Sequence, residues 1–422
     1  MKPNAPDGLV LLSRSIKIAV KDLVLIKGPA TLRLQDGEAE TLGIPLSYED
    51  PLFIRRNKIL PIEPITRPAY ITVSFGPSGC VLQKQIKGGT KLWVKAKEFI
   101  TSTPPKFKKL MIAGASDSGK STLTTYLLNL AVAKGAKVGV VDADIGQSDL
   151  APPGCVGGAV ISKQLIDLRD IRGNVLEFVG STSPMGIEEA VIKAVQRAVK
   201  RISDQQPDLL LVNTDGYVEG GGVKYKVKLG ESLSPELVIY IATESHSPLK
   251  RKLVERFGDE RVLTLEGPEG VEKSLSERAD RRMSQFHRYL KHSRFTRRNI
   301  NQIRVTFLGR EYSANPNSEL KVGELRILNT GDSVIVSTQE KLVLPRNVLE
   351  GMFVALGGEA VEGFGCILRC DEGGNLEIWT PLQNFQSIQL SLIKLDDKLR
   401  DERIPLKQLN LYTQPLNKED VC

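Results

Sequence analysis

The run Gly114, Ala115, Ser116, Asp117, Ser118, Gly119, Lys120, Ser121, Thr122 carries the clearest chemistry in the chain. Gly114, Gly119, Lys120 and Ser121 fit G-x-x-x-x-G-K-[ST]. In that pattern glycines let successive backbone N–H groups turn toward phosphate oxygens, and the following helix adds the positive end of its dipole. Lys120 is expected to reach the β- and γ-phosphates. Ser121 is expected to ligate Mg²⁺, because a hydroxyl is a hard oxygen donor suited to an octahedral ion that keeps most of its waters. All nine residues are therefore expected to line a bound nucleotide.

A second motif, "VVDADIGQSDLAPPG", spans Val140–Gly154. Asp142 and Asp144 end an apolar run. Two residues apart in extended chain, they are expected to point the same way, toward the carboxyl edge where a doubly wound sheet binds its ligand. Carboxylates there can hold a metal-bound water or orient a hydroxyl. A metal-sensing D-x-x-G is absent, and "VNTDG" (Val212–Gly216) is not the N-K-x-D that accepts the N–H groups of guanine. ATP or a base-tolerant site is expected. In "FVGSTSPMG" (Phe178–Gly186), Thr182 and Ser183 suit either a second phosphate clasp or an ordinary helix cap. Tyr217, in the glycine-rich loop after "VNTDG", suits base stacking or simple half-burial. On a helical projection of Leu275–Phe295, Leu275, Ala279, Met283, Phe286 and Leu290 form one stripe, with Arg278, Arg281, Arg282, Gln285 and Arg288 beside it. Such arginines either neutralise a transferring phosphoryl group or form a solvated basic face.

These groups need a scaffold, and the texture of the chain changes twice to supply it. Residues 1–104 hold short β-rich runs at Ile16–Val20, Ala30–Leu34, Tyr70–Phe75 and Lys91–Val94, broken by Gly, Pro and Asp, which predicts an all-β module. "TSTPPK" (Thr101–Lys106) reads as a linker. Over 105–298 strands alternate with helices, which predicts an α/β domain whose parallel sheet is covered on both faces. After Gly186 the spacing of Ile187, Ala190, Val191, Ala194, Val195, Ala198, Val199 and Ile202 marks one buried helical face. From 299 to 422 short strands and glycine-rich turns return as a second β-rich module.

At 422 residues the chain is long enough for two or three domains with cores of their own. With 58 Lys plus Arg against 50 Asp plus Glu, the surplus of eight positive charges permits a polyanionic partner without demanding one. Arg294, Arg297, Arg298 and Arg304 extend that surface. Five cysteines are too few for a disulfide scaffold. The chain starts without a signal-like segment, and no apolar run approaches the ~20 residues of a membrane span. A cytoplasmic protein with no membrane partner is expected.

The P-loop "GASDSGKST", the "DIGQ" of Asp144–Gln147 with its following "PPG", "GSTSP", "NTDGYVEG" and the arginine-bearing helix together resemble the polynucleotide 5′-hydroxyl kinases of RNA processing. That group includes archaeal RNA kinases, the eukaryotic pre-mRNA cleavage-factor subunit and the pre-ribosomal-RNA kinase. The resemblance implies ATP-dependent phosphorylation of a 5′-OH end, RNA favoured and DNA possible. It makes Lys120 the P-loop lysine, Ser121 and Asp144 the Mg²⁺ side of the site, and Asp144 the group that positions the attacking hydroxyl. Gln147, Thr182, Ser183 and Tyr217 become nucleic-acid contacts, and Arg278 and Arg282 the catalytic arginines, with Arg281 one register away. A non-catalytic ATP-binding scaffold and a P-loop ATPase switch acting on proteins are the alternative readings.

Overall fold

In the computed structural model, residues 12–405 and 410–412 are described apart from short internal segments, the longest of them 101–108 and 313–326. The expected linker at Thr101–Lys106 lies outside the described residues.

Seven strands build the central sheet: β1 (Lys109–Gly114), β2 (Val138–Ala143), β3 (Cys155–Ile161), β4 (Val175–Phe178), β5 (Leu209–Thr214), β6 (Leu237–Ala242) and β7 (Val262–Glu266). They lie in the order β4-β3-β2-β5-β1-β6-β7. Side chains alternate across a strand, so β1 feeds two cores. Leu110 and Ile112 pack against Leu123 and Leu127 of α1 (Lys120–Val132). Met111 and Ala113 face Val195 of α2 (Glu188–Ser203) and Leu229 of α3 (Gly221–Leu233). A fourth helix, α4 (Pro248–Phe257), buries Leu249 and Leu253 in the same core.

The sheet is mixed rather than wholly parallel. β3 runs antiparallel to both neighbours, with Val138 opposite Ile161 and Cys155 opposite Phe178. Its sequence "CVGGAVI" hides the strand because paired glycines weaken a strand signal. They are there for close approach: a Cβ on Gly157 would meet Leu150 and Ala151 at 2.9 Å.

Ahead of this domain, a four-stranded and a five-stranded antiparallel sheet share one core of Ile18, Val24, Leu32, Ile62 and Val73. The strand expected at 91–94 is not formed at Trp93, the one residue of that run described, which is helical. After the domain, Arg294–Asn299 pairs with Asn375–Thr380 in a seven-stranded sheet. The boundary expected at 298/299 therefore falls inside a strand, and the pairing puts Arg294, Arg297 and Arg298 in the C-terminal sheet. Arg297 there pairs with Glu377 at 2.9 Å, and Arg298 donates to the Gln383 carbonyl at 2.8 Å. Among the described residues no helix is long and apolar enough to cross a membrane.

Helix α5 (Leu275–Tyr289) touches all three parts. Ser274 and Glu277 cap its start reciprocally, which satisfies two backbone donors. Leu275, expected on the docking stripe, is 85% exposed instead; the stripe becomes buried at Phe286 and Leu290. The Phe286 ring lies 4.9 Å from Phe353 of the C-terminal sheet. Gln285, a polar residue, is buried beside it and donates to the Ser148 and Ala151 carbonyls at 2.8 and 3.3 Å. Phe286→Ala is expected to cost about 3–5 kcal/mol, the range for truncating a core aromatic. Urea unfolding followed by tryptophan and amide signals measures it.

Candidate nucleotide and phosphoryl-transfer site

The P-loop joins β1 to α1 through backbone that its residue types permit. Gly119 sits at φ +96° as the cap of α1, and Asp117 adopts φ +59°. A Cβ on Gly114 would stand 2.7 Å from the Ile241 carbonyl and 2.8 Å from Ser118 Oγ. On the other side, a Cβ on Gly216 would stand 2.2 Å from Ser116 Oγ, so the turn after β5 is pressed onto the loop. Lys120 is buried and donates to the Ala115 carbonyl at 2.6 Å. Burial lowers its ammonium to about pKa 8, with the Asp144 carboxylate opposing that shift.

Asp142 and Asp144 do not point the same way, because β2 ends at Ala143 and the period of two ends with it. Asp142 turns inward. It accepts from Asp149 N at 2.6 Å, Asn213 Nδ2 at 3.0 Å and Ser148 Oγ at 3.1 Å. Burial, then the neighbouring Asp149 and Asp144 charges, push it up to about 7. Asp144 faces the cleft and accepts from the Gln147 and Gly146 amides at 2.9 and 3.1 Å. Burial and then Asp215 raise its carboxyl, against the pull of Lys120. Asn213 also donates to Ser121 Oγ at 3.2 Å, so Asp142 orients Ser121 through one amide. Behind them, buried Lys226 Nζ lies 2.8 Å from Asp215, which also accepts from the Tyr217 amide and the Tyr225 hydroxyl at 2.8 and 2.9 Å.

A cleft of about 1220 Å³, counted out to its mouth, runs from the P-loop to the N-terminal module. Ser116, Asp117, Gly119, Lys120, Ser121, Thr122, Asp144 and Gln147 line one end. Leu23, Leu25 and Val271 form an apolar wall at the other, with Ile59 packed against it. Helix α5 closes the side with Arg278 and Arg281. Arg278 donates to Asp117 at 2.6 Å, as does Lys273 at 3.1 Å. Burial would raise Asp117, but Lys273 and then Arg278 hold it below the usual carboxylate range. Arg281 pairs with buried Asp149 and donates to the Gln147 carbonyl at 3.2 Å, while its Nε is buried without a partner.

Three expectations meet a different arrangement. Arg282 lies about 100° around the helix from Arg281 and pairs with Asp401 of the C-terminal module at 2.8 Å, leaving Arg278 and Arg281 as the arginines that line the cleft. Thr182 and Ser183 lie off the cleft, half-buried in the loop after β4; the Thr182 carbonyl would be 2.7 Å from a Cβ on Gly146. Tyr217 is half-buried with its ring stacked 6.2 Å from Tyr225, away from the cleft lining.

Comparison with known proteins bears on this geometry. The family model described as mRNA cleavage and polyadenylation factor CLP1 P-loop matches residues 114–292, from the first P-loop glycine to just past the end of α5. Over residues 114–292 the chain is therefore similar to this family. The chain is 29% identical over 318 residues to a polyribonucleotide 5′-hydroxyl-kinase of Thermococcus kodakarensis, covering 70% of this chain and 89% of that one. A protein of the same name from Pyrococcus horikoshii is 29% identical over 197 residues, covering 47% of this chain and 54% of that one. A solved complex of Clp1p with Pcf11p superposes with a TM-score of 0.66 at 13% identity, covering 91% of this chain and 98% of that one, a likeness of fold across all three parts.

Sequence reasoning did not single out Asn213, Asp149, Lys226 or the N-terminal wall. Asn213 had a signal, its place at the end of a central strand. Lys226 had another: it lies three residues before Leu229 on the buried side of α3. The wall had none, since Leu23 and Leu25 come from a different module and meet Val271 only in the folded chain. Because Lys120 is charged below about 8 and neutral above it, ATP affinity should be flat below that pH and fall above it. Bound phosphates should raise the pKa again. Calorimetry in two buffers near about pH 9 should then register proton uptake on binding.

Proposed function

We propose that this chain is an ATP-dependent polyribonucleotide 5′-hydroxyl kinase. The observation that carries the reading is the convergence of Lys120, Asp144 and Arg281 on one cleft within a domain of the CLP1 P-loop type. The named relatives act as kinases of that kind. The apolar wall of Leu23, Leu25 and Val271 accepts a flat base, and the P-loop amides accept the phosphates.

In the proposed reaction the 5′-hydroxyl oxygen attacks the γ-phosphorus and the bond to the β–γ bridging oxygen breaks, giving ADP and a 5′-phosphate. The hydroxyl proton passes to Asp144. Phosphoryl transfer has a loose transition state, so these residues act mainly by alignment and charge. Asp144 is held by the Gly146 and Gln147 amides with its second oxygen left for the hydroxyl. Lys120 moves from the Ala115 carbonyl to the phosphates, and Arg281 offers its unpartnered Nε to developing charge. Among the described residues no group of three or more His, Cys, Asp or Glu forms a metal cage. The hard oxygens of Ser121 and Asp144 suit instead a Mg²⁺ that keeps its waters and binds the phosphates, where it would neutralise phosphate charge. A cytoplasmic setting is part of the same reading. Gln147, Thr182, Ser183 and Tyr217 remain candidates for the nucleic-acid side.

A scaffold or a protein-directed switch would hold or hydrolyse ATP without regard to 5′-OH ends. Incubation with γ-labelled ATP and matched 5′-OH and 5′-phosphate RNA separates them: label on the 5′-OH RNA alone is expected, and ATP hydrolysis without label would overturn the kinase reading. Asp144→Asn should retain ATP binding while transfer falls by about 10²–10⁴, the usual contribution of a positioned base. Arg281→Ala should lower the single-turnover rate far more than it raises KM for ATP. Arg282→Ala should leave that rate within a fewfold of wild type, since it faces Asp401.

A further inference from the structure

Outside the cleft, three guanidinium groups from distant parts of the chain converge at the far end of α5. Arg172, after β3, donates through Nη2 to the Arg288 carbonyl at 2.9 Å, and Arg288 donates through Nη2 to the Ile171 carbonyl at 3.0 Å. Each is thus pinned by one edge. Both cations lie against the same ring, 5.4 and 5.7 Å from the centre of Tyr289. Tyr289 is itself fixed by its hydroxyl donating to the Leu150 carbonyl at 2.6 Å. Arg55 of the N-terminal module comes in from the other side, paired with Asp170 at 2.5 Å.

The charges here do not balance. Asp170 is engaged by Arg55, and the next carboxylate inward, Asp167, is engaged by Arg169 at 2.7 Å. Arg288 Nη1 is buried and has no partner. Burial, and behind it the Arg172 and Arg55 charges, push Arg288 below its ordinary value. Arg172 and Arg288 sit together with no carboxylate paired to either among the described residues, and like charges so placed raise the energy of the empty site and lower it again when an anion arrives. Planar guanidinium forks held by one edge match phosphate oxygens. Arg288 also follows Arg281 by seven residues, two helical turns, on one face of α5, so the cluster stands about 10 Å along the helix from the arginine of the cleft.

We propose that Arg55, Arg172 and Arg288 form a distal phosphate-binding site for the backbone of the RNA acceptor, downstream of the 5′ end held in the cleft. The proposal rests on the kinase reading above. The site reads no bases, so it adds affinity for length and not for sequence. A short acceptor ends before reaching it; a long one gains phosphate contacts whose strength falls with salt.

The test uses the full chain with a 5′-OH trinucleotide and a long single-stranded oligonucleotide of the same 5′ sequence. Arg172→Ala should raise KM for the long RNA roughly fivefold and leave kcat and the trinucleotide KM unchanged. Its slope of log K against log salt should be shallower by about 0.7 for each lost contact, the single-strand value. Arg55→Ala, in a different module, should act in the same direction, and thermal melting of both variants shows whether the fold is intact. Equal effects on both RNAs, or unchanged KM for the long RNA in both variants, would overturn the site. Fluorescence anisotropy of the same RNAs without ATP keeps the two readings apart. Length-dependent, Arg172-dependent binding with no phosphate transfer sinks the kinase and leaves the site; transfer with length dependence untouched by either variant does the reverse.

Discussion

Buried charge has to be matched, and that constraint governs the carboxyl edge of the central sheet. Lys120 and Lys226 are both buried there, with Asp142 and Asp215 buried beside them and Asp144 at the cleft. An isolated ion in such a place would cost several kcal/mol, so each one depends on the others being present. Lys226 matches Asp215, and Asp215 in turn fixes the Tyr217 amide and with it the turn that presses Gly216 onto Ser116. Asp142 does the same for Asn213 and, through it, for Ser121. The shape of the phosphate loop is therefore set partly by charges that never reach the cleft. The lowered pKa of Lys120 and the raised one of Asp144 follow from the same burial.

Helix α5 transmits this arrangement outward. Lys27 of the N-terminal module pairs with Glu277, Asp117 of the P-loop with Arg278, Asp149 with Arg281 and Asp401 of the C-terminal module with Arg282. The first, second and fourth of these pairs are half-buried, whereas the Asp149 pair is almost fully buried, and its geometry aims a guanidinium. Beyond it, the Gln285 amide and the Tyr289 hydroxyl bind carbonyls of 148–151, and Phe286 packs on Phe353. The C-terminal sheet thus supports a cleft it does not line. A further tie, Leu392 N donating to the Gly180 carbonyl at 2.7 Å, joins that sheet to the loop carrying Thr182 and Ser183.

Local patterns were legible where one element decides them. The P-loop spacing names its own backbone, since Gly119 at φ +96° and the helix behind it are requirements of a single turn. The helix after Gly186 buries Val191, Ala194, Val195, Ala198, Val199 and Ile202, as its spacing of apolar residues demands. The resemblance to the polynucleotide 5′-hydroxyl kinases too rests on short motifs, and the family model matches the region that carries them, residues 114–292.

Tertiary structure decided what depends on two elements meeting. The register of α5 is one case: Arg278, Arg281 and Arg282 all stand beside the apolar stripe on a helical projection, which does not say which of them faces a ligand. Only the placement of Asp149 on one side and Asp401 on the other turns Arg281 inward and Arg282 away. The directions of Asp142 and Asp144 are another, set by where β2 stops. Strand β3 was hidden by glycines whose purpose is contact with Leu150 and Ala151, distant from any periodic signal. The apolar wall of Leu23, Leu25 and Val271 joins residues nearly 250 positions apart. Sequence determines the conformations and chemistry available to each segment, because those are local energies. Which side chain faces the cleft is settled by packing and charge balance between segments, and these arise only in the folded chain.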